Sequence, residues 1–225
     1  MVSAVVPAFN EEANIARVLS VLQRCPFLRR ITVVDDGSTD ATAQRVLEFA
    51  RLDSRIRLLS LERNRGKGAA MAAGAEASPS DLVLFLDADL VGVDSRHLRQ
   101  LIEPVRKGCC HVSVAVLSPA GRMASLSQSL PPGLSGQRCL RWSLFRDAPG
   151  LRESRYGAEV ALNRHARRQG FSVRYVRWQR VTHRTKYAKR GLVRGSFPTC
   201  ACTCLLYTSD AADDLLCVDL GGRRI

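Results

Sequence analysis

Short, mostly apolar runs alternating with segments of helical spacing constrain this chain more than any other feature. The runs Ser3–Val6, Ile31–Val34, Ile56–Ser60 and Leu82–Leu86 carry little polar alternation, as expected of strands buried on both faces. Between them, Glu11–Arg24 sets Ile15, Val18, Leu19 and Leu22 on one helical face. A second helix reaches Ala50, with Ser38–Asp40 as N-cap candidates, and Lys67–Ala77 is an Ala-rich third. His97–Lys107 is amphipathic, with Ser95 as its cap candidate, and Val112–Leu117 returns as a strand. Strands separated by helices pair in parallel. The predicted class is therefore α/β: a Rossmann-like, mostly parallel sheet with helices on both faces. Ligands of such sheets bind beyond the carboxyl ends of the strands. The polar residues gather there: Pro7-Ala8-Phe9-Asn10-Glu11, Asp35-Asp36-Gly37-Ser38 and Asp87-Ala88-Asp89.

The remainder is less regular. Residues 118–155 read as loops around a short helix, Tyr156–Gln169 as a helix, Ser172–Val176 as a strand and Val181–Arg190 as polar and basic. A chain of 225 residues with 46% hydrophobic content supports one sizeable core. The expected organisation is a ligand-binding half over 1–117, a second half of the same domain over 118–195, and a tail over 196–225. Residues 204–225 have no hydrophobic period and resemble a translated sequencing-library adapter, so a natural chain ending near Thr203 is expected. Cys200, Cys202 and Cys204 are excluded from metal reasoning on that ground. Cys25, Cys109, Cys110 and Cys139 have no metal-like spacing and are expected to be reduced, with Cys109 and Cys110 buried.

The formal charge of +13 is uneven: residues 151–195 hold thirteen Arg or Lys against Glu153 and Glu159. Such a block suits an anionic partner or a solvated surface. No apolar run reaches membrane-spanning length, and Met1–Pro7 lacks the pattern of a signal peptide. The expectation is a cytoplasmic protein, with peripheral contact at the inner membrane face left open, and a homodimer equally open.

Three constellations carry chemistry. Two carboxylates after a buried strand, Asp87 and Asp89, call for positive compensation, and carboxylate oxygens suit Mg²⁺ or Mn²⁺. Asp35 and Asp36 end a second strand, where a carboxylate can accept from a base edge or a ribose hydroxyl. Asn64-Arg65-Gly66-Lys67-Gly68 opens a helix, so close backbone approach, a helix N-terminus and an ammonium converge on an anion. Neither a Walker loop nor a G-x-G-x-x-G turn is present.

In this order and at these places, VVPAFNEE, VVDDGSTD, NRGKGAA and LFLDADL resemble the nucleotide-sugar-binding half of family-two-like glycosyltransferases of the GT-A fold. The resemblance covers residues 2–92. It implies that Pro7, Phe9 and Glu11 line the base and ribose, that Asp36 beside Asp35 holds the base, and that Gly66 and Lys67 meet base and diphosphate. It also implies that Asp87 faces the sugar or ribose and that Asp89 of the Asp-x-Asp motif binds the metal. Leu134-Ser135-Gly136-Gln137-Arg138, Tyr156-Gly157-Ala158-Glu159-Val160 and Val181-Thr182-His183 are similar, more weakly, to segments of glucosyl-3-phosphoglycerate synthase. That similarity implies an acceptor site at Gly136 and Arg138, a sugar-binding or base residue in Glu159, and a metal ligand in His183. Gln137 departs from the synthase pattern. His97, His111 and His165 read as structural.

The implied function is metal-dependent transfer of a sugar from a nucleoside-diphosphate sugar to a hydroxyl or phosphate-bearing acceptor, with Asp87 and Glu159 catalytic. A polyprenyl-phosphate glycosyltransferase at the membrane surface shares the same donor half and is the alternative. A nucleic-acid-binding protein would account for the charge. It leaves the acidic strand ends unexplained, because carboxylates repel phosphate without a metal, so no nucleic acid is expected.

Overall fold

The computed structural model describes residues 1–118, 135–151 and 157–184, which lie in one compact unit, Met1–Arg184. Leu134, Tyr156, part of the basic block and the whole tail fall outside these residues. The strands are β1 (Val2–Ala8), β2 (Arg30–Asp35), β3 (Ile56–Ser60), β4 (Leu82–Phe85), β5 (Leu90–Val91), β6 (Val112–Ser118), β7 (Arg138–Arg141), β8 (Val173–Gln179) and β9 (Thr182–His183). The helices are α1 (Ile15–Gln23), α2 (Thr42–Leu52), α3 (Lys67–Ala77), α4 (Ser95–Arg106), α5 (Trp142–Arg146) and α6 (Ala158–Arg168).

Seven strands form one sheet in the order β3-β2-β1-β4-β7-β6-β8. All neighbours are parallel except β7, which runs antiparallel to both β4 and β6. The mostly parallel sheet is as expected. So are helices on both faces: Ala4 and Val6 point into one core with Ile15, Leu19 and Leu101, while Val5 and Phe85 point into another with Met71, Phe145 and Leu162. The α3 helix has little amphipathicity for a physical reason. It lies so close to the sheet that a Cβ on Gly74 would stand 2.5 Å from Val5 Cγ1 and 2.7 Å from Val34 Cγ2.

The structure departs from the sequence reading in four places. The strand β7 lies in the stretch expected to be loops around a short helix, and α5 is a short helix there. Arg138-Cys139-Leu140-Arg141 has no strand period of its own, and its conformation comes from hydrogen bonding on both edges. The two-residue pair β5–β9 was not foreseen. Asp94, rather than Ser95, caps α4, accepting from the Arg96 and His97 N–H groups, with His97 returning a bond to the Asp94 N–H. Cys110 is buried as expected, whereas Cys109 is exposed just past the end of α4. Of the histidines read as structural, His97 also packs edge-on against the buried Trp178, and His165 is buried on α6.

Register fixes the functional edge. Ala8 pairs with Asp35, Asp35 with Ser60, and Val5 with Phe85, so the carboxyl ends of β1 to β4 emerge side by side. Because β7 is antiparallel, it begins at that edge, with Arg138 opposite Phe85.

Candidate active site

The loops after β1 and β2 are tied to each other. Asn10, at a positive φ of 55°, accepts the Thr39 N–H through Oδ1, and its own N–H donates to Ser38 Oγ. The Glu11 N–H donates to Thr42 Oγ1, and Glu11 Oε2 accepts from Asn14. Phe9 stands 45% exposed beside this edge, with Pro7 half-buried behind it. Asp35 Oδ1 accepts the Ser38 N–H. Asp36 is buried, and its two oxygens accept the N–H groups of Arg65 and Gly66, each at 2.8 Å. Asp36 therefore shapes the loop that opens α3, with Gly66 at φ 94° supplying the turn.

Lys67, the first residue of α3, leads into the centre of the site. Its Nζ lies 2.7 Å from Asp87 Oδ1 and 2.6 Å from Glu159 Oε1, joining the end of β4 to the start of α6. Burial disfavours the Lys67 ammonium, but the Asp87 and Glu159 carboxylates outweigh it and raise its pKa. Burial likewise pushes Asp87 up, and Lys67 and His183, with hydrogen bonds from Lys67 and Gln137, hold it below the usual carboxylate range. Gly136 sits against both groups: a Cβ there would press on Lys67 Nζ and come within 2.6 Å of Asp87 Oδ1.

His183 is ninety-four positions from Asp89, yet Nδ1 and Asp89 Oδ1 are 2.9 Å apart. The β5–β9 pair makes this contact by placing Leu90 opposite His183. The imidazole Nε2 lies 4.0 Å from Asp87 Oδ2. Burial lowers the His183 pKa, but the Asp89 hydrogen bond and the charges of Asp87 and Asp89 win, so the net shift is upward. Asp87, Asp89 and His183 each offer a ligand atom, all within 4.8 Å of one another. Two carboxylates and an imidazole suit Mn²⁺ or Mg²⁺, so this donor set fits a divalent cation.

Every site residue named from the sequence lies on or beside this edge, but two do so differently from the roles implied. Asp36 is occupied by backbone N–H groups. Arg138 is wholly buried, with Nη2 on Ser135 O at 2.6 Å and Nη1 on Glu159 O at 3.3 Å and on Asn163 Oδ1 at 3.2 Å, rather than facing an open acceptor site. Gln137, not named as a site residue, reaches Asp87 Oδ2 at 2.6 Å. Its position next to Gly136 in the Leu134–Arg138 segment, and its departure from the synthase pattern there, are the signals the sequence carries.

Comparison with known proteins agrees with this geometry. The model for glycosyl transferase family 2 matches residues 3–150, and the chain belongs to that family. A dolichyl-phosphate beta-glucosyltransferase of Trichomonas vaginalis is 43% identical over 97 residues, covering 39% of this chain and 30% of that protein. An undecaprenyl-phosphate 4-deoxy-4-formamido-L-arabinose transferase of Pseudomonas aeruginosa is 39% identical over 113 residues, covering 48% and 33%. The aligned part thus spans about a third of the length of these curated relatives. Among solved structures, glucosyl-3-phosphoglycerate synthase from Mycobacterium tuberculosis, in complex with Mn²⁺, UDP-glucose and phosphoglyceric acid, matches with a TM-score of 0.66 at 25% identity. It covers 82% of this chain and 72% of that one.

Proposed function

We propose that this chain is a metal-dependent glycosyltransferase that moves a sugar from a nucleoside-diphosphate sugar to a hydroxyl of a phosphate-bearing acceptor. The observation that carries the reading is the meeting of Asp87, Asp89 and His183 from distant segments, with Lys67 bridging Asp87 to Glu159. Asp89 and His183 would hold Mn²⁺ or Mg²⁺, with Asp87 beside them. When bound, the cation neutralises charge on a departing diphosphate. Pro7, Phe9 and Glu11 border the place for base and ribose, and Asp35 and Asp36 form its floor. The Gly66 turn and the Lys67 ammonium offer phosphate oxygens charge-assisted hydrogen bonds at a helix start. Glu159 is placed to orient a sugar hydroxyl or to take the proton of the acceptor hydroxyl. Gly136, having no side chain, lets Lys67 and Asp87 close over the backbone at the place where sugar and acceptor would meet.

Support for the donor comes from the synthase, whose complex holds Mn²⁺, UDP-glucose and phosphoglyceric acid. A polyprenyl-phosphate acceptor is the second reading. It is favoured by the dolichyl- and undecaprenyl-phosphate relatives and by the run Arg164–Arg184, which has basic residues and no acid. Among the described residues no helix is long and apolar enough to cross a membrane. The test is binding of UDP- and GDP-sugars with and without Mn²⁺ to wild type and Asp89→Ala. Metal-dependent binding that Asp89→Ala leaves unchanged would overturn the reading. Transfer to phosphoglyceric acid or to polyprenyl phosphate in vesicles separates the two acceptors.

A further inference from the structure

The Asp87 carboxylate is oriented by two different donors. Lys67 takes Oδ1, and the side-chain amide of Gln137 takes Oδ2. Gln137 is wholly buried, and its amide is not free to turn over. The ionised Asp87 carboxylate only accepts, so Nε2 faces it and Oε1 is left to accept the Ser135 hydroxyl at 2.7 Å. The backbone that carries both side chains is anchored in turn by Arg138, whose Nη2 holds Ser135 O and whose Nη1 holds Glu159 O. A closed circuit results: Arg138 to Ser135, Ser135 to Gln137, Gln137 to Asp87, Asp87 to Lys67, Lys67 to Glu159, and Glu159 back to Arg138.

A neutral amide differs from a cation in this place. It aims Oδ2 without adding a second positive charge to the one Lys67 already sets on Oδ1, so less of the carboxylate's charge is offset on the side facing Asp89 and His183. We infer that Gln137 is a positioning residue: with Ser135 fixing its amide and Arg138 fixing its backbone, it sets the direction from which Asp87 meets the metal and the donor diphosphate. The inference rests on the proposed function, because it assigns Gln137 a task at that metal and donor site.

The test uses the 225-residue chain, with Mn²⁺ alone, UDP with Mn²⁺ and GDP with Mn²⁺ as probes, read by calorimetry and by the Mn²⁺ spin-resonance signal. Gln137→Met keeps length and burial but donates nothing. It is expected to weaken Mn²⁺-dependent nucleotide binding by about tenfold, the loss of one hydrogen bond to a charged group. Its thermal midpoint without metal is expected to stay near that of wild type. Ser135→Ala, which releases the amide, is expected to weaken binding less, and Ser135→Thr, which keeps the hydroxyl, to restore it. Wild-type affinity in Gln137→Met would overturn the positioning role. So would a loss that tracks metal-free stability and leaves the metal dependence intact. Should Gln137→Met fail to fold, unchanged affinity in Ser135→Ala overturns it instead. A wild-type chain that binds neither nucleotide with Mn²⁺ overturns the proposed function and this inference together. Wild-type binding that the variants do not alter overturns the inference alone.

Discussion

At the residue scale, the site depends on what Gly136 lacks. The atoms that a Cβ there would strike are the ends of the flexible Lys67 and Asp87 side chains, not backbone. Those ends can yield, so Gly136→Ala should fold while its ion cluster is displaced. The expected outcome is a change in unfolding free energy below about 1 kcal/mol, together with at least a roughly tenfold loss of Mn²⁺-dependent UDP binding. Denaturant titration and calorimetry on one preparation check both. Asp87, Asp89 and Lys67 were legible in the sequence because charged groups at buried strand ends and helix starts require a chemical reason. Gln137 was not, because an amide carries no such flag until its partner is seen. Arg138 was legible as important and misread in kind: its charge suggested a ligand, and its burial makes it a clamp on Ser135 and Glu159.

At the element scale, two small devices hold large consequences. The β5–β9 pair has two residues on each side, and it brings His183 to Asp89, with the Arg184 N–H donating to Asp89 O. Gly92, at φ 82°, lies directly under the Arg180 carbonyl, and Arg180 itself has φ 60°. Gly92→Ala meets backbone both by its φ and by its Cβ, so it should cost about 1–3 kcal/mol and weaken Mn²⁺ binding in the same variant. No period of apolar residues marks a two-residue strand, which is why this pair was invisible in the sequence while β1, β2 and β4 were plain. The other device is Arg55, whose guanidinium donates to the carbonyls of Gln23, Cys25 and Leu28 and pairs with Asp53 at 2.7 Å. The hydrogen bond from Arg55 is the main cause that lowers the Asp53 pKa, against opposing burial. A depressed carboxyl pKa stabilises the fold above its unfolded value of about 3.9, and the gain is lost as pH falls through the folded value. Asp53→Asn should therefore unfold about 1–2 kcal/mol more easily at pH 7. The gap to wild type should narrow as pH falls through the folded value; a gap that does not change with pH would contradict the ion-pair account.

At the scale of the whole molecule, the sheet does not divide where the sequence divides. The halves 1–117 and 118–195 follow the chain, but β7 from the second half lies between β4 and β6 of the first. The Leu82–Phe85 strand is buried throughout, and Val83 and Phe85 face Leu140, Leu144, Phe145 and Leu162 from beyond residue 117. Removing the second half strips that cover and leaves β4 and β6 with unpaired apolar edges in the middle of the sheet. Residues 1–117 alone should thus lack a cooperative unfolding transition and associate on a sizing column, even though they hold most of the donor-side motifs. Residues 1–184 should unfold in one transition, because every strand of the sheet is then present. A sharp transition and a dispersed NMR spectrum from 1–117 would show that this half folds by itself. In that event Lys67 would lose Glu159 and Asp89 would lose His183 without loss of the fold, and the isolated half should bind nucleotide without dependence on Mn²⁺.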